Sequence, residues 1–301
     1  MKIIFFGAGY CTKYIIPLLP KNSKIICTHK EDIKPEQFDK KFNLKRLSLK
    51  NFFENKDFYL NDSNFILNSI PPIEKGDIIL NNLTKEILKS KNSIKWYGYF
   101  SSTSVYGNHL GKWVDENTKL RPRSFRGKLR QKSEIQHLKL FKLHKIPIHI
   151  FRLPGIYGPG RSIFERLKLK KKVQIVKKGH FFSRIHVEDI ASAIRKSMKK
   201  ITPGEIFNIC DDMPSESDTI VKYAAKLMGI KNIETIKFDS SKLNEKTKSF
   251  YLDNKRVKNN KIKKILNWTP KFRTYKLGLD NLFNLLSNEN SSTNPSIFKK
   301  N

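Results

Sequence analysis

The stretch FFGAGYCTKY, residues 5–14, sets Gly7 and Gly9 between an apolar run and a helical spacing. Glycines so placed suit a phosphate. Gly7 permits a tight turn, Gly9 lets bare main-chain amides approach a pyrophosphate, and the helix that follows adds free N–H groups and its dipole. Thr12 stands where the third glycine of G-x-G-x-x-G would allow close helix–strand packing, so the fingerprint is imperfect. The rival reading is a structural glycine turn. A second cue ends the next apolar run, KIICTH (24–29). An acid there would hold a ribose 2′-hydroxyl, whereas a base accommodates a 2′-phosphate. Thr28, His29 and Lys30 precede the first acids, Glu31 and Asp32. NADP is therefore expected over NAD, with NAD the alternative should Lys30 be one more solvated lysine.

Such groups need a scaffold with strand ends on one edge. KIIFFG (2–7), KIICTH (24–29), NFILNSIPP (64–72), KWYGYFSS (95–102) and GEIFNICDD (204–212) are short apolar runs bounded by Gly, Pro or Asn, and IPIHIFRLPGIYGPG (146–160) gives a further strand and a Gly/Pro loop. Continuous apolar runs of that length fit strands of a parallel sheet buried on both faces. Helical spacing falls between them at 11–19, 77–90, 124–144 and 215–229, 181–200 reads as a short strand followed by a helix, and 30–60 is polar and resists assignment. Strands alternating with helices predict an α/β fold, a doubly wound parallel sheet of Rossmann type.

These landmarks resemble a known family. GAGY (7–10), NSIPP (68–72), SSTSVYG (101–107), WVDENT (113–118), FRLPGIYGPGR (151–161), SRIHVEDIA (183–191), FNICDD (207–212) and ILNWTPKF (265–272) occur in the order found in the extended short-chain dehydrogenase/reductases, the NAD-dependent epimerase/dehydratase group. The chain looks closest to an atypical branch, over residues 1–283. The resemblance implies a Rossmann domain from 1–160 and 181–212, a substrate lobe from 161–180 and 213–286, and a tail, 287–301, of disordered composition. It implies a cofactor shell of Gly7, Gly9, Tyr10, Thr28 and Lys30, with Ser69, Pro71 and Arg130 nearby. Ser102 falls where the family's catalytic hydroxyl sits, with Thr103 and Ser104 facing substrate. A hydroxyl at the carboxyl end of a parallel strand can polarise a C–O bond beside the cofactor.

The departure is in RPRSFRGKLRQKSE (121–134). Where the family carries Tyr-x-x-x-Lys, on one helix face by its i, i+4 spacing, this chain has Arg126 and Arg130. Arg130 can still donate to ribose or phosphate. Arg126 stays protonated and so cannot relay a proton, though it can stabilise an oxyanion or clamp an anion. Tyr106, Tyr157 and His109 are the substitute donors on offer, and His186 with Asp189 suits a junction between lobes. Arg152, Arg161 and Arg184 form an anion-binding constellation by resemblance, with ion pairs to neighbours such as Glu165 or Glu188 as the rival. The expectation is an oxidoreductase or epimerase-like enzyme acting on a polar, nucleotide-sugar-like small molecule. The alternative is a non-catalytic dinucleotide sensor or assembly protein. The family also implies a homodimer through helices 77–90 and 124–144.

Composition bounds the rest. No run nears the roughly 18 apolar residues of a membrane span, and the N-terminal apolar run ends in glycines rather than a cleavage site, so a cytoplasmic protein without membrane attachment is expected. Three cysteines without paired spacing predict neither disulfides nor a metal site. The formal net charge is +33, and of 60 basic residues arginine accounts for 12 and lysine for the rest. Lysines spread along the whole chain, despite clusters at 168–172 and 258–264, argue for a solvated basic surface with weak, salt-sensitive attraction to polyanions rather than specific nucleic-acid binding.

Overall fold

A computed structural model describes residues 1–31, 37–168, 173–238, 243, 248 and 250–293. Seven strands build one sheet: β1 (Lys2–Phe6), β2 (Lys24–His29), β3 (Leu44–Ser48), β4 (Phe65–Asn68), β5 (Trp96–Ser102), β6 (Ile148–Leu153) and β7 (Ile206–Asn208). Their order is β7-β6-β5-β4-β1-β2-β3, and every pairing is parallel. The chain thus starts in the middle of the sheet, winds outward through β2 and β3, and returns to lay β4 on the other side of β1. That reversal opens a crevice at the carboxyl ends of β1 and β4, where doubly wound sheets bind ligands.

Period-two alternation explains the layering. On β1, Ile3 and Phe5 point into one apolar cluster with Ile15, Ile190 and Ile194. Ile4 and Phe6 point into the other, with Phe52, Ile79, Leu83 and Leu140. The first layer is covered by α1 (Tyr10–Ile15) and α4 (Val187–Lys199), the second by α2 (Ile78–Lys89) and α3 (Phe125–His144). A third cluster lies away from the sheet: Tyr157 and Phe164 pack against α5 (Ser217–Leu227) and α6 (Tyr275–Thr293). Asp189 on α4 joins this lobe to the first layer by accepting hydrogen bonds from the amides of Lys271 (2.6 Å) and Phe272 (3.0 Å).

The expected strands and long helices are present. The segment 30–60 holds more order than its polarity suggests: β3 and the short helices Gln37–Lys41, Leu49–Glu54 and Lys56–Leu60. Helix α6 runs to Thr293, into the segment expected to be a tail, and 294–301 lie outside the described residues, as does the lysine cluster at 169–172. No helix among the described residues is long and apolar enough to cross a membrane.

Candidate functional site

The glycine loop is locked from behind. Gly7 has a φ of +77°, and a β-carbon on it would lie 2.8 Å from Ile70 Cγ1 and 3.1 Å from Ser69 Oγ. The Gly7 amide donates to Thr28 Oγ1 (3.1 Å), the Ala8 amide to the Thr28 carbonyl (2.9 Å), and Ser69 Oγ to the Gly7 carbonyl (2.5 Å). Gly9 is different. A β-carbon there would meet nothing nearer than 3.8 Å, so its missing side chain leaves room on the open side. Thr12, in the third glycine's place, is buried at the turn into α1.

A crevice of about 330 Å³ faces this loop, and Gly7, Gly9, Tyr10, Ser69, Ser102 and Arg130 all line it. The other expected cofactor residues sit around it. Thr28 is buried, with its hydroxyl accepting from the loop amide, Lys30 is exposed just past β2, and Pro71 is exposed off the lining. Tyr10 reaches sideways, its hydroxyl donating to the Pro159 carbonyl at 3.0 Å. The Arg161 guanidinium lies 5.5 Å from the Tyr10 ring centre and lines the crevice too.

The structure separates the arginine pair. Arg130 lines the crevice and donates to Tyr99 Oη (3.2 Å) and to the Phe100 carbonyl. Arg126 is exposed, off the lining, and has no hydrogen bond or ion pair among the described residues. The reason is axial. Helix α3 begins at Phe125, capped by Ser124 Oγ, so residue 126 belongs to its leading turn while residue 130 lies one turn deeper, against β5. Ser102 is half-buried, its Oγ accepting from the Ser104 amide (3.1 Å); Thr103 is buried and Ser104 half-buried, and neither lines the crevice.

Beneath Ser102 runs a buried polar chain. Glu134 Oε1 accepts from Ser101 Oγ (2.6 Å) and Arg152 Nε (3.0 Å), and Glu134 Oε2 from Arg152 Nη2 (2.7 Å). Arg152 Nη1 donates to Tyr106 Oη (3.0 Å), which donates to Asn208 Oδ1 (2.7 Å). Two readings are corrected by this chain. Arg152 is 2% exposed and pairs with Glu134 instead of joining an anion site, because a guanidinium pointing into the sheet's cover layer requires a buried counter-ion. Tyr106 is fully buried and engaged at its oxygen, with burial raising its phenol well above the ordinary range, so it offers no proton to the crevice. His109 Nε2 lies 3.0 Å from the Tyr106 carbonyl, outside the crevice lining.

A second cavity of about 270 Å³ adjoins the first and shares Ile156 and Arg161 with it. Arg184 and Arg166 line it as well. Arg184 is half-buried, Nη1 donating to the carbonyls of Phe182 (2.9 Å) and Ser215 (3.2 Å), and desolvation lowers its pKa to about 10. Arg166, which sequence reasoning passed over, donates from Nη2 to Gln174 Oε1 (2.8 Å), while its Nε is buried without a partner. Tyr157 also lines this cavity, burial raising its phenol far above the ordinary range. His186 is buried against Phe272, with ring centres 4.1 Å apart, and desolvation lowers its pKa to about 4. It caps α4 by accepting from the Glu188 amide at 3.3 Å, the junction role its sequence position suggested.

A model of the NAD dependent epimerase/dehydratase family matches residues 78–210. Protein YeeZ of Escherichia coli (strain K12) is 30% identical over 135 residues, 44% of this chain and 46% of its own length, so the chain spans about half of the curated relative it matches. A functionally unknown conserved protein from Silicibacter pomeroyi DSS is 36% identical, with 93% of this chain and 97% of that one covered and a TM-score of 0.84. The dTDP-glucose 4,6-dehydratase of Bacillus anthracis str. Ames, solved in complex with NAD, is 19% identical over 97% of this chain and 98% of its own, with a TM-score of 0.72. The UDP-glucuronic acid 4-epimerase of Bacillus cereus, also solved with NAD, is 18% identical over 96% and 99%, with a TM-score of 0.74. At the last two identities the likeness is one of fold.

Proposed function

We propose that this chain, which belongs to the NAD-dependent epimerase/dehydratase family, binds NADP and acts as an oxidoreductase or epimerase-like enzyme of the atypical extended short-chain type on a polar, anionic small molecule. The observation that carries the reading is the convergence of Gly7, Gly9, Ser69, Ser102 and Arg130 on one crevice at the reversal point of the sheet. Gly9 and the first amides of α1 receive the diphosphate, where unsatisfied N–H groups and the helix dipole favour negative charge. Arg130, oriented by Tyr99 and the Phe100 carbonyl, donates to the ribose or a phosphate oxygen. Lys30, exposed past β2, accommodates the 2′-phosphate. The nicotinamide supplies hydride transfer when bound. Ser102 polarises the substrate oxygen, and the guanidiniums of Arg161 and Arg184 hold the substrate's negative charge from the neighbouring cavity.

The proton is where this chain departs from its family. Tyr10 lines the crevice, but its hydroxyl is bound to the Pro159 carbonyl, and Arg126 is neither in the crevice nor able to give up a proton. General acid–base assistance contributes roughly 10²–10⁴ in rate. Turnover is accordingly expected to be slow, with protons exchanged through solvent. The same observation favours a second reading, a non-catalytic NADP-binding sensor or assembly protein. A homodimer through α2 and α3 would cover Ile135 and Leu143, which are 50% and 72% exposed.

Two measurements test this. Fluorescence titration should give tighter binding of NADPH than of NADH; the reverse order removes the 2′-phosphate assignment, and binding of neither removes the function. Single-turnover nicotinamide absorbance with sugar nucleotides and small carbonyl compounds then separates enzyme from sensor. Binding with neither an absorbance change nor a new product by chromatography across the panel decides for the sensor, since an epimerase-like turnover regenerates its nicotinamide.

A further inference from the structure

Three guanidiniums converge on the cavity beside the crevice, and none of them has a counter-ion among the described residues. Among the described residues Arg161, Arg166 and Arg184 form no ion pair. The acids that could neutralise them are engaged elsewhere. Glu165 Oε2 accepts from the amide and hydroxyl of Ser162 (2.6 and 2.5 Å), and Glu188 pairs with Lys271 (3.1 Å). Asp211, the acid whose charge bears on Arg184, is 1% exposed and forms no ion pair with it, and burial raises its pKa to about 8. Arg166 and Arg184, half-buried and without a counter-ion among the described residues, favour an incoming anion. The Nε of Arg166 is buried with no hydrogen-bond partner.

The remaining wall is apolar. Ile156, Ile163, Ile220, Val221, Tyr275 and Leu279 make up most of it. Besides the phenols of Tyr275 and of Tyr157, whose hydroxyl is buried without a partner, two neutral hydrogen-bonding side chains line the cavity, and both are committed. Ser162 Oγ donates to Glu165 and accepts from the Phe164 amide, and Ser217 Oγ accepts from Gln174 Nε2. No Asn, Gln, Asp or Glu lines it. A nucleobase edge or a row of sugar hydroxyls buried there would lose its hydrogen bonds to water and find few in return. The volume, about 270 Å³, lies just below the range of roughly 300–1,000 Å³ for small-molecule sites.

We infer that this cavity takes a compact amphipathic anion, a phosphoric or carboxylic acid carried on an apolar body about the size of one ring, rather than a nucleoside diphosphate. Arg184 and Arg166 clasp the oxyanion, the aliphatic wall holds the body, and Arg161, shared with the crevice, directs the other end toward Ser102. The inference deepens the function proposed above and rests on it only for where the reacting end points; binding in the cavity is independent of dinucleotide.

The test is calorimetry on the whole chain without dinucleotide, using phenyl phosphate, phenylacetate, inorganic phosphate and uridine diphosphate. Phenyl phosphate or phenylacetate should bind at least tenfold tighter than inorganic phosphate and uridine diphosphate. Arg166→Gln and Arg184→Gln should each weaken that ligand tenfold or more while leaving NADPH affinity unchanged. Ile163→Gln should weaken the ring-bearing probes and spare inorganic phosphate, which separates apolar recognition from charge alone. Melting curves of each variant confirm that it folds. Uridine diphosphate binding as tightly as the ring-bearing acids overturns the inference. So does a ring that adds nothing over inorganic phosphate, or arginine variants that bind like the parent. An NADPH affinity measured in parallel shows whether the dinucleotide reading stands or falls separately.

Discussion

The two loop glycines should fail in opposite ways when given a side chain. Gly7→Ala places a methyl group in a left-handed backbone, at a cost of about 1–2 kcal/mol for an L-residue. It also sets that methyl 2.8 Å from Ile70 Cγ1. Overpacking of this kind costs about 1–3 kcal/mol, so total destabilisation should be about 2–5 kcal/mol. At roughly 2 °C or more per kcal/mol for a chain of this size, melting should fall by about 4–10 °C. Gly9→Ala meets nothing within 3.8 Å and has a φ of −114°, so its melting temperature should stay within about 2 °C of the parent. Its methyl instead occupies the space over which the diphosphate must reach the amides. Losing one charge-assisted hydrogen bond, about 1.5–3 kcal/mol, is a loss of roughly 10–100-fold in affinity. Circular-dichroism melts and NADPH fluorescence titrations on both variants read the two effects. Gly9→Ala binding NADPH with parental affinity would refute the reasoning, because the loop would then not be where the diphosphate sits.

Two further outcomes concern the frame. Glu134→Ala leaves Arg152 buried and unpaired, and urea unfolding should show a loss of about 3–5 kcal/mol, much of it restored in Glu134→Leu with Arg152→Met; a loss under about 1 kcal/mol would contradict the buried pair. Asp211→Asn should stabilise the protein increasingly as pH rises. The unfolded carboxyl releases its proton near its ordinary 3.8 while the folded one holds it to about 8, so native stability drains away between those values and the amide removes the drain. Melting temperatures of parent and variant that run parallel from pH 4 to 8 would contradict this. The buried His186 acts on the other side, costing stability as pH falls from about 6.5 to about 4.

Strands buried on both faces were legible because they are written as apolar runs, and the glycine loop because its place after the first run leaves little else for it to do. Strand β3 was not. It is an edge strand paired only with β2, and its LKRLS carries Lys45 and Arg46, the charges that edge strands tolerate. Arg152 was misread because a residue type does not say which way it points. Its setting held the signal: an arginine inside HIFRL, a wholly buried strand, needs a buried acid, and Glu134 was available on the preceding helix. Arg126 and Arg130 share a spacing but not a depth, which depends on where α3 starts relative to the end of β5. Arg166 was hidden among lysines, since nothing local distinguishes a cavity-lining cation from a solvated one.

Helix α3 carries one more implication. Ser133 bonds Asp77, Glu134 holds Arg152 and Ser101, and His137 stacks on Tyr99 at 4.1 Å, so the helix is riveted from its middle backward. Its leading turn is a tool head on a fixed shank. Replacing Arg126 changes that head without disturbing the rivets, so the exposed turn can be rewritten while the frame behind it stays as it is.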